Sequence, residues 1–552
     1  MPGAAPVPLR PSRPRSLASA RLDEALDRAP RQEPRGLRPG PIAVNDYLVQ
    51  LGRIAPEAVL TVLALVILTW DLVTKGRDCR RLAYGTLAGL GLVVWLLCGQ
   101  WASLGETGAV SAFGMVTVDR FGTFFKLFTA LALMVVVLLV LFDRRERKHG
   151  IGEYYFLLIG AAIGIFFMVS TNNLLLLMLG LELLSLASYS LAGFHKGSQR
   201  SAEASLKYIV FGGLSAGIML YGISLLYGLT GTIDLSVMGR GGEGGYPVGL
   251  VAQFAVSPIP VAVAVVLVLA GFAYKASIVP FHFWTPDVYE GAPTPVTTFL
   301  AVASKAAGFA ALLRFVGALF LVDGVQEAVH AYGARIGLLL AILSAVTMTL
   351  GNLSAMRQRS LKRLLAYSSI AHAGYVLMGL AVMTEAGFSA SVFYLAAYYF
   401  MNLGAFAFLL YFEGETNSDE IDSLKGMGWR HPVVAWAMVA FLVSLAGLPP
   451  TVGFYGKLLL FYEGVDAGLG WLVFIAALNS VISLFYYFRV AKALFLTEPV
   501  ERVPNRQPAL TGLIVGLSVL TVVTGIFNSA LQRWSGEAPR ALGISDQLEE
   551  PH

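Results

Sequence analysis

Leu174-Leu-Leu-Leu-Met-Leu-Gly-Leu-Glu182-Leu-Leu184 is apolar enough to lie inside a lipid bilayer, yet it carries a carboxylate. Glu182 falls about nine residues into its span, roughly 14 Å deep at 1.5 Å per residue. A charge at the bilayer centre costs roughly 2.5–3.5 kcal/mol on insertion scales. Lys207, Lys275, Lys305 and Lys457 stand in similarly apolar stretches. Ionisable groups buried in this way pair with one another or line an ion path. The set points to translocation of protons or cations.

Working outward, the whole chain has the same character. Its 552 residues are 56% apolar and 14% charged, with a mean hydropathy of +0.68. Soluble globular chains carry about 25% charged residues. Apolar spans are read near 54–74, 82–101, 121–142, 152–172, 173–194, 203–229, 256–281, 295–322, 333–356, 362–384, 386–413, 431–465, 467–496 and 508–531. Most are near the roughly 20 residues that cross about 30 Å of hydrocarbon. The expected fold is an all-α polytopic membrane protein with about fourteen transmembrane helices.

Two spans are interrupted. Ala270-Gly-Phe-Ala-Tyr-Lys275 runs toward Pro280, and Ala446-Gly-Leu-Pro-Pro450 precedes Gly453-Phe-Tyr-Gly-Lys457. Proline removes a helical hydrogen bond and clashes with the preceding turn, so each span is read as two half-helices. Paired broken helices at matching places point to inverted repeats with sites near the midplane.

Residues 1–45 are rich in Pro and Arg and contain no long apolar run. They read as a disordered extension, not a secretory signal peptide. Alternate loops after the first span concentrate Lys and Arg, among them Lys75, Arg144, Lys196, Arg357, Lys425 and Arg489. The opposite loops hold Arg120, Arg240 and Arg335. The first set is expected in the cytoplasm, which puts both ends of the helical core on the far side. Cys79 and Cys98 form no CxxC pair, so cysteine alone builds no zinc or iron–sulfur site. Gly239-Arg-Gly-Gly-Glu-Gly-Gly245 has no flanking strand signal and reads as a loop, not a phosphate cradle.

The buried charges are not equivalent. Lys275, Lys305 and Lys457 lie deep, and lysine can release a proton where arginine cannot. Lys207 is nearer its helix end; it either pairs with Glu203 one turn away or stabilises ionised Glu182. His372, beside Ser368 and Ser369, is either a hydrogen-bonded structural residue or a relay. His282 follows the first break and is undecided. Glu57, Asp71, Lys126 and Arg314 sit toward span ends and read as interfacial groups.

The stretch Lys275-Ala-Ser-Ile-Val-Pro-Phe-His-Phe-Trp-Thr-Pro-Asp-Val-Tyr-Glu-Gly-Ala-Pro-Thr-Pro-Val296 resembles the signature of antiporter-like subunits of respiratory complex I. Leu181-Glu-Leu183, Glu203-Ala-Ser-Leu-Lys207, Lys362-Arg-Leu-Leu-Ala-Tyr-Ser-Ser369 and Gly453-Phe-Tyr-Gly-Lys457 also match it. Lysine in the second broken helix is similar to subunit N, the subunit 2 family; the M-type subunit usually has glutamate there. The resemblance covers roughly residues 50–530 and implies two inverted five-helix repeats. The expected layout is an extension at 1–50, three helices at 51–151, repeats at 152–322 and 323–500, and a last helix with a tail at 501–552. By resemblance, Glu182 is the switching carboxylate, Lys275 the central carrier, Lys305 the link and Lys457 the exit lysine; Lys207 also falls on a family lysine position. The resemblance implies a bacterial inner-membrane protein in the bilayer, beside K-type and M-type subunits. NADH, FMN, iron–sulfur clusters and quinone are then expected in other subunits. No cofactor, metal or nucleic acid is expected on this chain. A cation/proton antiporter subunit, and a membrane-arm subunit without its own pumping, are the alternatives.

Overall fold

The computed structural model describes residues 44–542 except 75–78, 106–107, 144–149, 241–248, 251–252, 255–256, 322–326 and 497–506. The Arg/Pro-rich stretch and most of the glycine-rich loop therefore lie outside the described residues. Residues 1–49 and 50–552 are separate units. The first contributes only the start of α1 (Val44–Arg53) to the described part.

The second unit is a helical bundle. Its helices are α2 (Ala55–Thr74), α3 (Cys79–Ser103), α4 (Arg120–Phe142), α5 (Ile151–Val169), α6 (Leu174–Ala192), α7 (Gln199–Thr230), the short α8 (Leu235–Arg240), α9 (Pro258–Ala276), α10 (Trp284–Gly291) and α11 (Thr294–Phe320). They continue with α12 (Glu327–Ala355), α13 (Leu361–Ala381), α14 (Glu385–Thr416), α15 (Pro432–Ala446), α16 (Val452–Asp466), α17 (Gly470–Phe495), α18 (Pro508–Ile526) and α19 (Ser529–Arg540). Among the described residues, 13 helices are long and apolar enough to span a membrane, and α15 is a shorter apolar helix. With α15 and α16 taken as one broken span, this is the expected number.

Several helix starts follow from local chemistry. Asp119, Asn173, Ser198, Ser360 and Thr384 each accept a backbone N–H from the first turn of α4, α6, α7, α13 and α14. Such caps satisfy donors that a helix start otherwise leaves open. The breaks lie where proline placed them. α9 ends at Ser277, whose φ is 62°, and the chain resumes as α10 after Pro280. α15 ends at Gly447, with φ 85°, and resumes as α16 after Pro450. Lys275 stands before its break and Lys457 after its own.

The bundle centre is α11, α13 and α14, which are almost wholly buried, while α2 and α18 lie at the periphery. α14 packs against α4, α13, α15, α16, α18 and α19. One π-helical turn, Leu300–Ser304, interrupts α11 just before Lys305. Such turns recur at functional sites because they insert a residue and re-aim the face that follows. Nothing in the apolar pattern of 295–322 signals it.

One small element among the described residues departs from an all-helical reading. An antiparallel hairpin, β1 (Val110–Ala112) and β2 (Val116–Val118), turns on Phe113 and Gly114, both at positive φ. Thr117 donates to the Ser170 carbonyl at 2.8 Å, which ties the hairpin to the α5–α6 corner. The segment after α18 folds as α19 and packs on α14 and α4. Arg120 pairs with Glu537 at 2.7 Å and Arg540 with Glu385 at 3.0 Å.

Three residues read as interfacial are instead buried in ion pairs. Glu57 and Lys126 are 1% and 0% exposed and meet at 2.5 Å between α2 and α4. Arg314 pairs with Asp119 at 2.8 Å and donates to the Val169 carbonyl and to Asn172. Linear position places a residue along a span but not the helix that covers it. Removing one member of a buried pair strands the other, at a cost of about 3–5 kcal/mol, whereas replacing both with apolar groups is close to neutral. Lys126→Ala should therefore lower the unfolding midpoint in detergent far more than the double change Glu57→Leu/Lys126→Met.

Candidate functional site: a buried ionic axis

Glu182 begins the axis on α6. It is half-buried, and its Oε1 is enclosed without a hydrogen-bond partner. It lies within electrostatic reach of Lys275 on α9. One turn along α6 from Glu182, Ser185 accepts from Lys275 Nζ at 3.2 Å. The Lys275 ammonium also lies 5.9 Å from the Tyr208 ring centre. α11 crosses Lys275 closely at Gly308, where a Cβ would come within 3.2 Å of the lysine Cγ. A larger residue there would displace the lysine stem, so glycine sets the approach of α9 and α11.

Lys305, at the end of the π-helical turn, donates to the Ser369 carbonyl at 2.8 Å and to the Ser369 hydroxyl. Ser369 also accepts from Tyr398 at 2.7 Å. On the same helix, α13, Ser368 and Tyr487 share a 2.5 Å hydrogen bond. His372 meets Tyr394 through Nδ1 at 2.7 Å and Tyr487 through Nε2 at 3.2 Å. It stands within electrostatic reach of both Lys305 and Lys457. Both hydroxyls and the imidazole are thus brought to one place, between two of the buried lysines.

Lys457 ends the axis on α16. Its three ammonium hydrogens have three acceptors: the carbonyls of Leu445 (3.2 Å) and Ala446 (2.9 Å) and the Ser480 hydroxyl (2.8 Å). The carbonyls are those left open at the C-terminal end of α15, where the helix dipole is negative. The ammonium also sits 4.5 Å over the Tyr375 ring. Lys275, Lys305 and Lys457 are 1–3% exposed, and their hydrogen-bond partners are neutral oxygens. No counter-charge is bonded to them among the described residues.

Lys207 differs. It is partly exposed and pairs with Glu203 at 2.8 Å and with Asp287 at 2.6 Å, not with Glu182. The reason is the fold: α10 lies across α7 and brings Asp287 to the lysine. Asp287 also binds Arg363 at 2.8 Å, and Arg363 binds Glu290 at 2.7 Å. Beside this cluster Lys362 pairs with Glu413 at 3.0 Å, and Glu413 accepts from Thr294 at 2.6 Å. The sequence shows Lys362 and Arg363 only within the Lys362–Ser369 stretch and does not single out Asp287, Glu290 or Glu413. Asp287 and Glu290 do lie inside the Lys275–Val296 stretch. Their pairing with α13 is visible only in three dimensions. Among the described residues no group of three or more His, Cys, Asp or Glu is placed to hold a metal ion.

The family described as "NADH:quinone oxidoreductase/Mrp antiporter, TM" matches residues 171–483, a span that contains every charge of this axis and both breaks. The NADH-quinone oxidoreductase subunit N of Chlorobium chlorochromatii is 41% identical over 507 residues, covering 90% of this chain and 96% of that relative. The chain belongs to the NADH-quinone oxidoreductase subunit N family. A chain of respiratory complex I from Thermus thermophilus is 33% identical and superposes with a TM-score of 0.71, covering 87% of this chain and 98% of that one. A chain of the Mrp complex from Dietzia sp. has a TM-score of 0.77 at 22% identity over 91% of this chain and 98% of its own, a likeness of fold alone. The family match leaves out α2–α5, α18 and α19, so the axis belongs to the part held in common with it.

The ion cluster on α10 makes a testable demand. Asp287→Leu leaves Lys207 and Arg363 without a shared counter-charge, and the docking of α10 on α7 and α13 should loosen. Backbone amides of residues 284–291 should then exchange faster in hydrogen–deuterium exchange, while those of α14 stay protected.

Proposed function

We propose that this chain is a proton-translocating membrane-arm subunit of respiratory complex I. It couples electron transfer from NADH to quinone, carried out by redox groups in other subunits, to proton movement along its buried axis. The observation that carries this reading is the row of buried lysines held by neutral oxygens. A lysine locked to a carboxylate is a structural element. A lysine bonded to serines and carbonyls can be charged or discharged as the field around it changes.

In this reading, events at neighbouring subunits change the field at Glu182, and Lys275 responds because it lies within reach of that carboxylate. The proton moves from Lys275 toward Lys305, then past Ser369, Ser368 and His372 to Lys457. The groups titrate as a set, so no step belongs to one residue alone. Lys207 acts indirectly, by holding α10 through Asp287. Residues 152–322 and 323–500 would be the two inverted repeats, preceded by the helices of 51–151 and the extension of 1–50 and followed by 501–552. The Lys/Arg-rich loops favour an orientation in a bacterial inner membrane with both ends of the helical core outside the cytoplasm. K-type and M-type subunits would be the neighbours in the arm.

Lys275→Ala in the assembled, reconstituted enzyme should abolish most proton translocation while electron flow from NADH to a water-soluble acceptor is kept. Lys457→Ala should do the same, and Lys207→Met should have the smaller effect. Full pumping by Lys275→Ala would sink the proposal.

A further inference from the structure

A polar seam leaves the axis sideways, between α12, α13 and α17, away from the line that joins Lys305 to Lys457. Tyr487, which bonds Ser368 and His372, is followed in space by Tyr486, whose ring centre is 4.4 Å from its own. The Tyr486 hydroxyl donates to Asn352 Oδ1 at 2.9 Å. Asn352 donates to Asn479 Oδ1 at 3.1 Å, and Asn479 donates to Thr349 at 3.0 Å. Asn352, Asn479, Ser483, Tyr486 and Tyr487 are all buried. On α17 the positions 479, 483 and 486 recur at helical spacing, so one face of that helix is polar toward its C-terminal end.

That face leads to a cleft of about 320 Å³, lined by Gln358, Arg359, Glu420, Asp422, Arg489 and Lys492. Arg489, one turn beyond Tyr486, forms its floor. Its guanidinium donates to the carbonyls of Met356 at 2.9 Å and of Gln358. Its Nε is enclosed without a hydrogen-bond partner. A buried donor of this kind is ordinarily satisfied by water. A clasp that only held α12 to α17 would need neither end. This one begins at an open charged cleft and ends on the imidazole of the axis.

We propose that this seam is a hydrated side branch that carries protons between the cleft and His372. Amides do not pass protons; Asn352 and Asn479 would hold water, and the hydroxyls of Tyr486 and Tyr487 would pass the proton on. In one transfer, a water at the seam takes a proton from the cleft side and gives one to the Tyr487 oxygen, as Tyr487 gives its own to His372 Nε2. One proton leaves the cleft side, one arrives on the imidazole, and no electron moves. Arg489 stays protonated and screens the mouth, so cations other than protons meet a fixed positive charge there. The branch rests on the axis proposed above, because it needs His372 to be part of it.

The test uses the assembled complex in membranes, with Cys79 and Cys98 of this chain replaced by serine. Asn352→Cys should be modified by methanethiosulfonate ethylammonium from the same side that modifies Lys425→Cys at the cleft rim. A bulky polyethylene glycol maleimide should reach only Lys425→Cys. Asn352→Cys that reacts from neither side in an assembled complex overturns the branch. If that variant does not assemble, Tyr486→Phe keeps the ring and removes one hydroxyl. It should lower the protons moved per NADH oxidised while electron transfer to a water-soluble acceptor is unchanged. Full stoichiometry in Tyr486→Phe with lost pumping in Lys275→Ala overturns the branch and leaves the axis standing. Full stoichiometry in both removes the axis as well.

Discussion

Hydrocarbon offers no water to a polar group, so each charge in the spans must find its partner within the chain. This constraint sets the order of packing. α11 carries two buried cations: Arg314 toward one end, fixed to Asp119 and the Val169 carbonyl, and Lys305 on Ser369 of α13. A helix tied in this way to α4, α5 and α13 has to lie in the middle of the bundle. The helices α2 and α18, far less buried, lie at the periphery.

The charges divide into two physical kinds. Glu57–Lys126, Asp119–Arg314 and Lys362–Glu413 are closed pairs of opposite sign. Each is stable as it stands, and a change in either member leaves an isolated charge. Lys275, Lys305 and Lys457 are held by serines and backbone carbonyls instead. Such partners stabilise an ammonium less than a carboxylate would and do not fix its charge. The first kind builds the scaffold, and the second kind is able to respond to it.

The breaks supply the carbonyls. A continuous helix uses its own acceptors, but α15 stops at Gly447 and leaves the oxygens of Leu445 and Ala446 for Lys457. At the first break α9 ends just after Lys275, and α10 is held in place by the Asp287 and Glu290 ion pairs with α7 and α13. The same discontinuity thus does two different things. At the second break it binds a lysine; at the first it lets a short helix lie on a neighbouring charged surface.

Much of the architecture could be read along the chain, because a bilayer imposes a one-dimensional rule. About 20 apolar residues make a span, and proline within one makes a break. The spans, both breaks and the deep placing of Lys275, Lys305 and Lys457 follow from that rule. Partner choice does not, since it depends on which helices become neighbours. Lys305 and Ser369 are 64 residues apart, and Arg314 and Asp119 are 195 apart. The π-helical turn before Lys305, the diversion of Lys207 to Asp287 and the seam from Tyr487 to Arg489 were decided by packing alone. The sequence by itself determined which charges stand inside apolar spans. Only the tertiary structure decided which of those charges are locked and which are free to change, because that depends on whether the nearest oxygen belongs to a carboxylate or to a neutral group.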